Sequence, residues 1–434
     1  MTKTKNTTTS SSNFFACGKS ELSLFDNVPP QVVVESGLFC DIHPTSSIDK
    51  SNTIEFLING SEADYLDLND TLLHLQCKVT DENGDPLATG ATPPNVYLCD
   101  YFMNAMFSDV ILSLNNVVVE GGNQLYSYKA TLEDILNYNS STSKVQLVTR
   151  GCNPAVADRK AEIAGSRLFE MCGSLRLDFF NQPKYLLNSV DVRIQLQRSK
   201  TEFCIMSPNA ATVGGVKPRL EINKAILYVR RVEVAPAVKL GHLIGLQDKN
   251  AIYPFQKTQL LSYSIPSGSL SYFKDNVFSG TLPKLVIVAM TSGKAYNGAY
   301  EEEPFTFNHF NINYMALLKD GQSVPYRTVY QPDFTNKLYA REFLTSIVQN
   351  LQHLNTNVNN GITRDMFAQQ GYSLFTFNLT PDYCLEQVQP IKHSNIRLDM
   401  RFTKASTTPI NVIVYGMFDS ELQITKDRQC IVMN

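Results

Sequence analysis

Residues 189–200 read SVDVRIQLQRSK, and residues 394–404 read SNIRLDMRFTK. In the first stretch Val190, Val192, Ile194 and Leu196 alternate with Asp191, Arg193, Gln195 and Gln197, so an extended chain puts apolar side chains on one face and polar ones on the other. That is the pattern of a half-buried β-strand. In the second stretch Ile396, Leu398, Met400 and Phe402 alternate with Asn395, Arg397, Asp399 and Arg401, in the same phase and 204 positions later. A phrase that returns after about half the chain predicts a duplicated architecture.

Working outward, the first half offers further strand signals in IEFLI (Ile54–Ile58), LLHLQCKV (Leu72–Val79), FSDVILSLNN (Phe107–Asn116), LRLDF (Leu175–Phe179) and AILYVRRVEV (Ala225–Val234). The Asn83-Gly84 pair inside DENGD marks a turn. The second half replays this order. KTQLLSYSI and KLVIVAM stand for the early strands, FNINYMALLKDG aligns Phe310 with Phe107 at a shift of 203, and SLFTFNL and NVIVYGMF complete the set. Each half carries one helix-like insertion, YKATLEDILNY (Tyr128–Tyr138) and AREFLTSIVQNL (Ala340–Leu351).

About eight short strands per half, with no alternating helices, argue against a parallel α/β sheet. They predict an all-β fold of two tandem eight-stranded jelly rolls with short helical insertions in loops. Residues 1–50 read as a flexible N-terminal arm and lead-in, 51–240 as the first roll, and 241–434 as the second with a C-terminal tail.

The chain length of 434 fits two domains better than one core. Hydrophobic residues make up 43% and charged residues 18%, which is globular composition. A formal net charge of -3 argues against wrapping nucleic acid through the overall field. Nine cysteines, an odd number without a CxxC pair, predict reduced thiols. The N-terminal MTKTKNTTTSSSN has no apolar core of a secretory signal, and the longest aliphatic runs, such as LVIVAM (Leu285–Met290), are too short to span a bilayer. A soluble protein with no membrane span is expected.

The motifs that would carry chemistry are incomplete. The six histidines (His43, His74, His242, His309, His353, His393) never form HxH, and in the cupin-like PSGSLSYFKDN the ligand position holds Ser271. These histidines are expected at loops or subunit contacts. CGKS (Cys17–Ser20) has Asn13 where a phosphate loop needs its first glycine. The acidic run Glu301–Glu303 reads as a solvated turn. Sequons at Asn6, Asn59, Asn69, Asn139 and Asn378 are expected to be unused without a signal peptide. No catalytic residue, cofactor or metal site is expected. A soluble tandem jelly roll without such a site builds something: three copies of a two-lobed chain present six similar lobes, and that tile packs hexagonally. A carbohydrate- or receptor-binding β-sandwich, and an enzyme on a double sandwich, remain as alternatives; the absence of tryptophan counts against the first.

Longer phrases carry a resemblance. Tyr65–Leu87, Ala225–His242, Ser262–Met290 and Lys294–Pro325 resemble the major capsid protein of Maverick/Polinton elements and adintoviruses, over about residue 50 to about residue 425. The resemblance implies a hexon-like double jelly-roll protein that forms homotrimeric, pseudo-hexameric capsomers and an icosahedral shell around double-stranded DNA. It implies a virion component assembled in the host cytoplasm or nucleus, with a minor capsid (penton) protein, a maturation protease and a packaging ATPase as companions. The insertions around Tyr128–Gly151 and Tyr326–Gly371 are then expected to supply trimer contacts and outer surface. The arm with Lys3, Lys5 and Lys19 is expected at the inner face, near DNA or a cement protein.

Overall fold

A computed structural model of the protein describes residues 31–48, 51–89, 94–138, 143–210, 215–278, 280–324, 329–349 and 361–433. In chain order the first half contributes β1 (Val34–Ile42), β2 (Thr53–Ile58), β3 (Asp64–Thr80), β4 (Tyr97–Leu98), β5 (Phe107–Leu114), β6 (Val117–Glu120), β7 (Phe169–Gly173), β8 (Val192–Arg198), β9 (Ile205–Met206) and β10 (Arg219–Val234). The second contributes β11 (Ala251–Ile265), β12 (Ser271–Lys274), β13 (Leu285–Ser292), β14 (Ile312–Lys319), β15 (Gln322–Val324), β16 (Leu374–Asn378), β17 (Ile396–Phe402), β18 (Ile410–Ile424) and β19 (Cys430–Met433).

The first half forms antiparallel sheets β1-β10-β3-β7 and β2-β8-β5-β6, with β4-β9 as a small extra ribbon. The second forms β11-β18-β13-β16, extended by β19, and β12-β17-β14-β15. If β4, β9 and β19 are set aside and each half is numbered 1 to 8, both halves read 1-8-3-6 and 2-7-4-5. Two four-stranded sheets wound in this order are a jelly roll. The fold is two jelly rolls in tandem.

The repeated phrase is the seventh strand of each roll, β8 and β17, still 204 positions apart. Val192, Ile194, Leu196, Ile396, Leu398 and Met400 are fully buried, as the alternation predicts. Elsewhere the repeat has a different offset. Phe107 opposes Arg198, and Ile312 opposes Phe402, with a bulge at the next pair in both cases. The counterpart of Phe107 is therefore Ile312, not Phe310, which sits before the strand in a left-handed conformation (φ 44).

LRLDF is not a strand. The sixth strand of the first roll is β7, further upstream, and Asp178–Asn181 is a short 3₁₀ turn. Its alternating Leu175, Leu177 and Phe179 are buried all the same, Phe179 against Tyr253 and Phe255 of the second roll. Residues 34–42, counted in the lead-in, are the first strand of a sheet, paired to β10. A helix at Pro236–Asp248 joins the rolls and spans the expected 240/241 boundary. The 340–351 insertion begins as a helix (Ala340–Phe343) and widens into a π-turn at Leu344–Gln349; residues 350–351 lie outside the described residues.

The register fixes which connections share an end. Val34 pairs with Val234, and Ala251 with Ile424, so the chain entry, the joining helix and the β18-β19 turn lie at one end, here called the base. Ser292 pairs with Ile410 at the other end, where the long connections 293–311 and 325–373 depart, like 81–106 and 121–168 of the first roll.

The phase of the repeat is testable. Leu398→Ala, a cavity in the second core, is expected to cost about 2–5 kcal/mol. Gln195→Ala on the polar face is expected to cost less than about 0.5 kcal/mol. Equal losses in chemical denaturation would show that the faces are assigned wrongly.

Candidate functional site

The long connection of the first roll opens with the helix Tyr126–Asn137, in which Tyr126 through Leu136 are all buried. Leu132, Ile135 and Leu136 cover one side and Tyr128 another, so the helix is enclosed on every face. The helix therefore does not supply the outer surface expected of this insertion; it is a wedge between the rolls. Further along the same connection, Val145 and Val148 are exposed.

Its polar side chains are buried with it and must find partners. Lys129 Nζ pairs with Glu120 at the end of β6, lies 2.8 Å from Asp178 and 3.9 Å from Glu133, and donates to the Arg176 carbonyl. Glu120 also accepts from the backbone N–H of Asp178 at 2.7 Å. Asp178 reaches across to the second roll, accepting from the N–H of Thr258 in β11 at 2.6 Å. One turn along the helix, Asp134 takes Arg150 at 2.9 Å and Arg176 at 2.7 Å, while Asn104 bonds both Asp134 and Arg150 at 2.8 Å.

Burial works against the charge on Lys129, but Asp178, Glu120 and Glu133 outweigh it and hold the ammonium pKa well above its usual value. Burial, then the neighbouring Asp178, pushes Glu120 up to about 7 against the pull of Lys129. Burial likewise pushes Glu133 up to about 8, with Lys129 opposing.

A second band of contacts closes the seam. The Tyr128 ring stacks on Tyr296 at 5.6 Å and meets the edge of Phe305 at 5.6 Å. Phe179 packs against Tyr253 and Phe255 of β11, and Tyr253 accepts from the Leu187 N–H. The acidic run 301–303 belongs here and is not a solvated turn. Glu303 pairs with the buried Arg159 at 2.8 Å, and Glu302 takes the Ser292 hydroxyl; only Glu301 is exposed. The run is acidic because a buried arginine of the other roll needs a counter-charge.

This arrangement fixes two bodies together. The carboxylates are sealed around Lys129, and Glu120, Glu133 and Asp178 expose at most 11% of their side chains. Among the described residues the histidines do not meet. His43, His242 and His393 are exposed, His74 in β3 bonds Glu170, and His309 stacks on Phe334, with burial holding its pKa below the usual value; His353 lies outside the described residues. Among the described residues no three His, Cys, Asp or Glu side chains converge as metal ligands, and no helix is long and apolar enough to cross a membrane. Ser271 opens β12. Asn378 is buried in β16, closed to glycosylation, whereas Asn59 and Asn69 are exposed. The described cysteines are free thiols. Residues 1–30, with Asn6, Asn13, Cys17–Ser20 and the arm lysines, and Asn139 lie outside the described residues.

Known proteins share this fold. A chain of the Sputnik virophage cryo-EM structure matches with a TM-score of 0.62 at 12% identity, covering 97% of this chain and 93% of that one. The mavirus major capsid protein matches at 0.50 and 12% identity, covering 100% and 96%. The faustovirus major capsid protein matches at 0.52 and 9% identity, covering 94% and 93%. The fold is that of double jelly-roll capsid proteins. In sequence, the chain is 23% identical over 424 residues to "Uncharacterized protein F54H12.2" of Caenorhabditis elegans, covering 93% of this chain and 98% of the nematode protein. No protein-family model matches.

The raised carboxyl pKa values give a signed expectation. Folded Glu120 and Glu133 keep protons that the unfolded chain, with values near 4.5, releases. Their contribution is full below about 4.5 and is lost progressively as pH rises from there through about 7 to 8. Glu133→Gln, which cannot ionise, should therefore match the parent in thermal midpoint near pH 4 and exceed it at pH 8.5, by roughly 1 kcal/mol or more. Parallel midpoint curves for the two proteins would contradict the assignment.

Proposed function

We propose that this chain is a major capsid protein of the Maverick/Polinton and adintovirus kind, whose homotrimers form pseudo-hexameric capsomers of an icosahedral shell around double-stranded DNA. The observation that carries the reading is the pair of rolls with identical strand order, locked by a buried seam into one two-lobed body. Three such bodies in a ring give six similar lobes, and a hexagonal tile requires lobes that do not swing relative to each other. The reading is supported by fold matches spanning nearly the whole chain, two of them to proteins named as major capsid proteins. A near full-length relative in a nematode supports the finer reading of an element carried in animal genomes.

In this proposal the chain is a structural virion component and not an enzyme. Residues 51–240 and 241–434 are the two lobes, with the strand at 34–42 added to the first. Its partners are other copies of itself, a minor capsid (penton) protein, a maturation protease and, at the inner face, packaged DNA. Many modest contacts between copies hold such a shell together.

The test is the full chain expressed alone and measured by size-exclusion chromatography with light scattering, then by negative-stain microscopy. Trimers with a hexagonal outline, or closed shells, are expected. A strict monomer across concentration, salt and pH, or a small oligomer that binds glycans, would overturn the reading.

A further inference from the structure

Inside the chain the two rolls meet head to tail. The first roll offers the connection after its sixth strand, β7: there Asp178 accepts from the Thr258 N–H at 2.6 Å and Phe179 packs on Tyr253 and Phe255. The second roll offers its edge strand β11 and the sheet behind it. Leu260, Tyr415 and Ile287 form one row across β11, β18 and β13, and all three are buried. Tyr415 and Thr258 share a hydroxyl hydrogen bond at 3.2 Å. Burial, then Glu133 and Asp178 of the first roll, hold the Tyr415 pKa well above its usual value.

A contact between unlike surfaces leaves one of each open on every copy. The open edge belongs to the first roll. AILYV (Ala225–Val229) and VIVYG (Val412–Gly416) set Tyr228 against Tyr415, and Tyr228 stands in a row with Asp41 of β1 and Leu72 of β3. Here Asp41 is exposed, Tyr228 is half-buried and Leu72 is 37% exposed. Phe39, two residues before Asp41 as Thr258 is two before Leu260, is 56% exposed. Among the described strands β1 is the edge of its sheet, which turns a row of backbone N–H and C=O groups outward.

The open connection belongs to the second roll. Asp382-Tyr383 follows Asp178-Phe179 by 204 positions, the same offset as β17 from β8. Both connections are tied to the entry of the third strand, Leu186 to Leu66 and Leu379 to Lys284, so they run at the same end of their rolls. Yet Asp178, Phe179 and Phe180 are buried, whereas Asp382 is exposed and Val388 and Ile391 are 74% and 63% exposed. Asp382 accepts from the Cys384 N–H at 3.2 Å and the Gln389 amide at 3.3 Å, both in its own connection.

We propose that these two open surfaces are the halves of one contact between copies, a repeat of the contact inside the chain. The second-roll connection 379–395 of one copy sits on β1 of the next, and Asp382 accepts a β1 backbone N–H beside Phe39, as Asp178 does at Thr258. This inference rests on the ring of copies proposed above and names its joint. Made three times, the contact leaves no open edge and the ring closes.

Two native thiols report on the joint. Cys40 follows Phe39, Cys384 lies two residues after Asp382, and both are partly exposed. In the full chain a short bismaleimide should join Cys40 to Cys384 of another copy, giving covalent dimers and trimers on a denaturing gel and the linked peptides in mass spectrometry. Asp382→Lys should lower both the yield of that link and the trimer fraction in light scattering by roughly tenfold or more, with the circular dichroism spectrum of the parent. Asp382→Asn, which keeps an acceptor oxygen, should retain both. A parent trimer that lacks the link, or that Asp382→Lys leaves intact, would overturn this inference and leave the ring reading standing. A parent that stays monomeric would overturn both.

Discussion

One buried ammonium group organises the contact between the two rolls. Lys129 draws carboxylates from three places into one closed volume: Glu120 from the end of a strand, Glu133 from its own helix, and Asp178 from the turn that touches the second roll. None of these groups could be buried alone, because an unpaired charge in the interior costs several kcal/mol. Together they determine where the helix lies, and the helix determines how the two rolls meet. A greasy seam of the same area would tolerate sliding; a charge cluster with directional bonds has one good arrangement.

The same cluster makes one body of two sandwiches. Each roll has its own pair of sheets, and no described strand pairs across the halves, so the sheets alone leave the relative orientation free. Orientation comes from the connections between strands: Asp178 on Thr258, Arg159 on Glu303, and Tyr128 among the second roll's aromatic rings. These connections have the length and composition of surface decoration, yet their helix and acidic run act as fasteners.

Much of the fold is legible in the sequence because a strand's burial has period two. The alternation in β8 and β17 assigns their faces, and its recurrence reveals the duplication. The hidden parts are non-periodic. Leu175, Leu177 and Phe179 alternate like a strand, yet all three are buried without strand pairing, Phe179 against Tyr253 and Phe255 of the second roll, which no local pattern reports. The seam residues escape for a related reason. Glu133 and Asp134 look like the wet face of a surface helix, and only the apolar residues on both sides of them, Leu132 and Ile135, hint that the helix is covered all round. Glu303 looks solvated because its partner, Arg159, lies far away in the chain. Matching letters also mislead: aligning Phe107 with Phe310 follows residue identity, whereas the sheet register equates Phe107 with Ile312.

The hairpins β5-β6 and β14-β15 turn on Asn115-Asn116 and Asp320-Gly321, all four at positive φ. At equivalent places Asn115 Oδ1 accepts from the Asp191 N–H at 2.8 Å, and Asp320 Oδ1 from the Asn395 N–H at 3.0 Å. The amide and the acid have traded places between the halves. Both supply the same acceptor oxygen, and both tolerate the left-handed backbone. The two halves have thus diverged in charge while keeping a lone pair in one spot, which is the trace expected of descent from a single ancestral roll: drift confined to side chains that the geometry cannot tell apart.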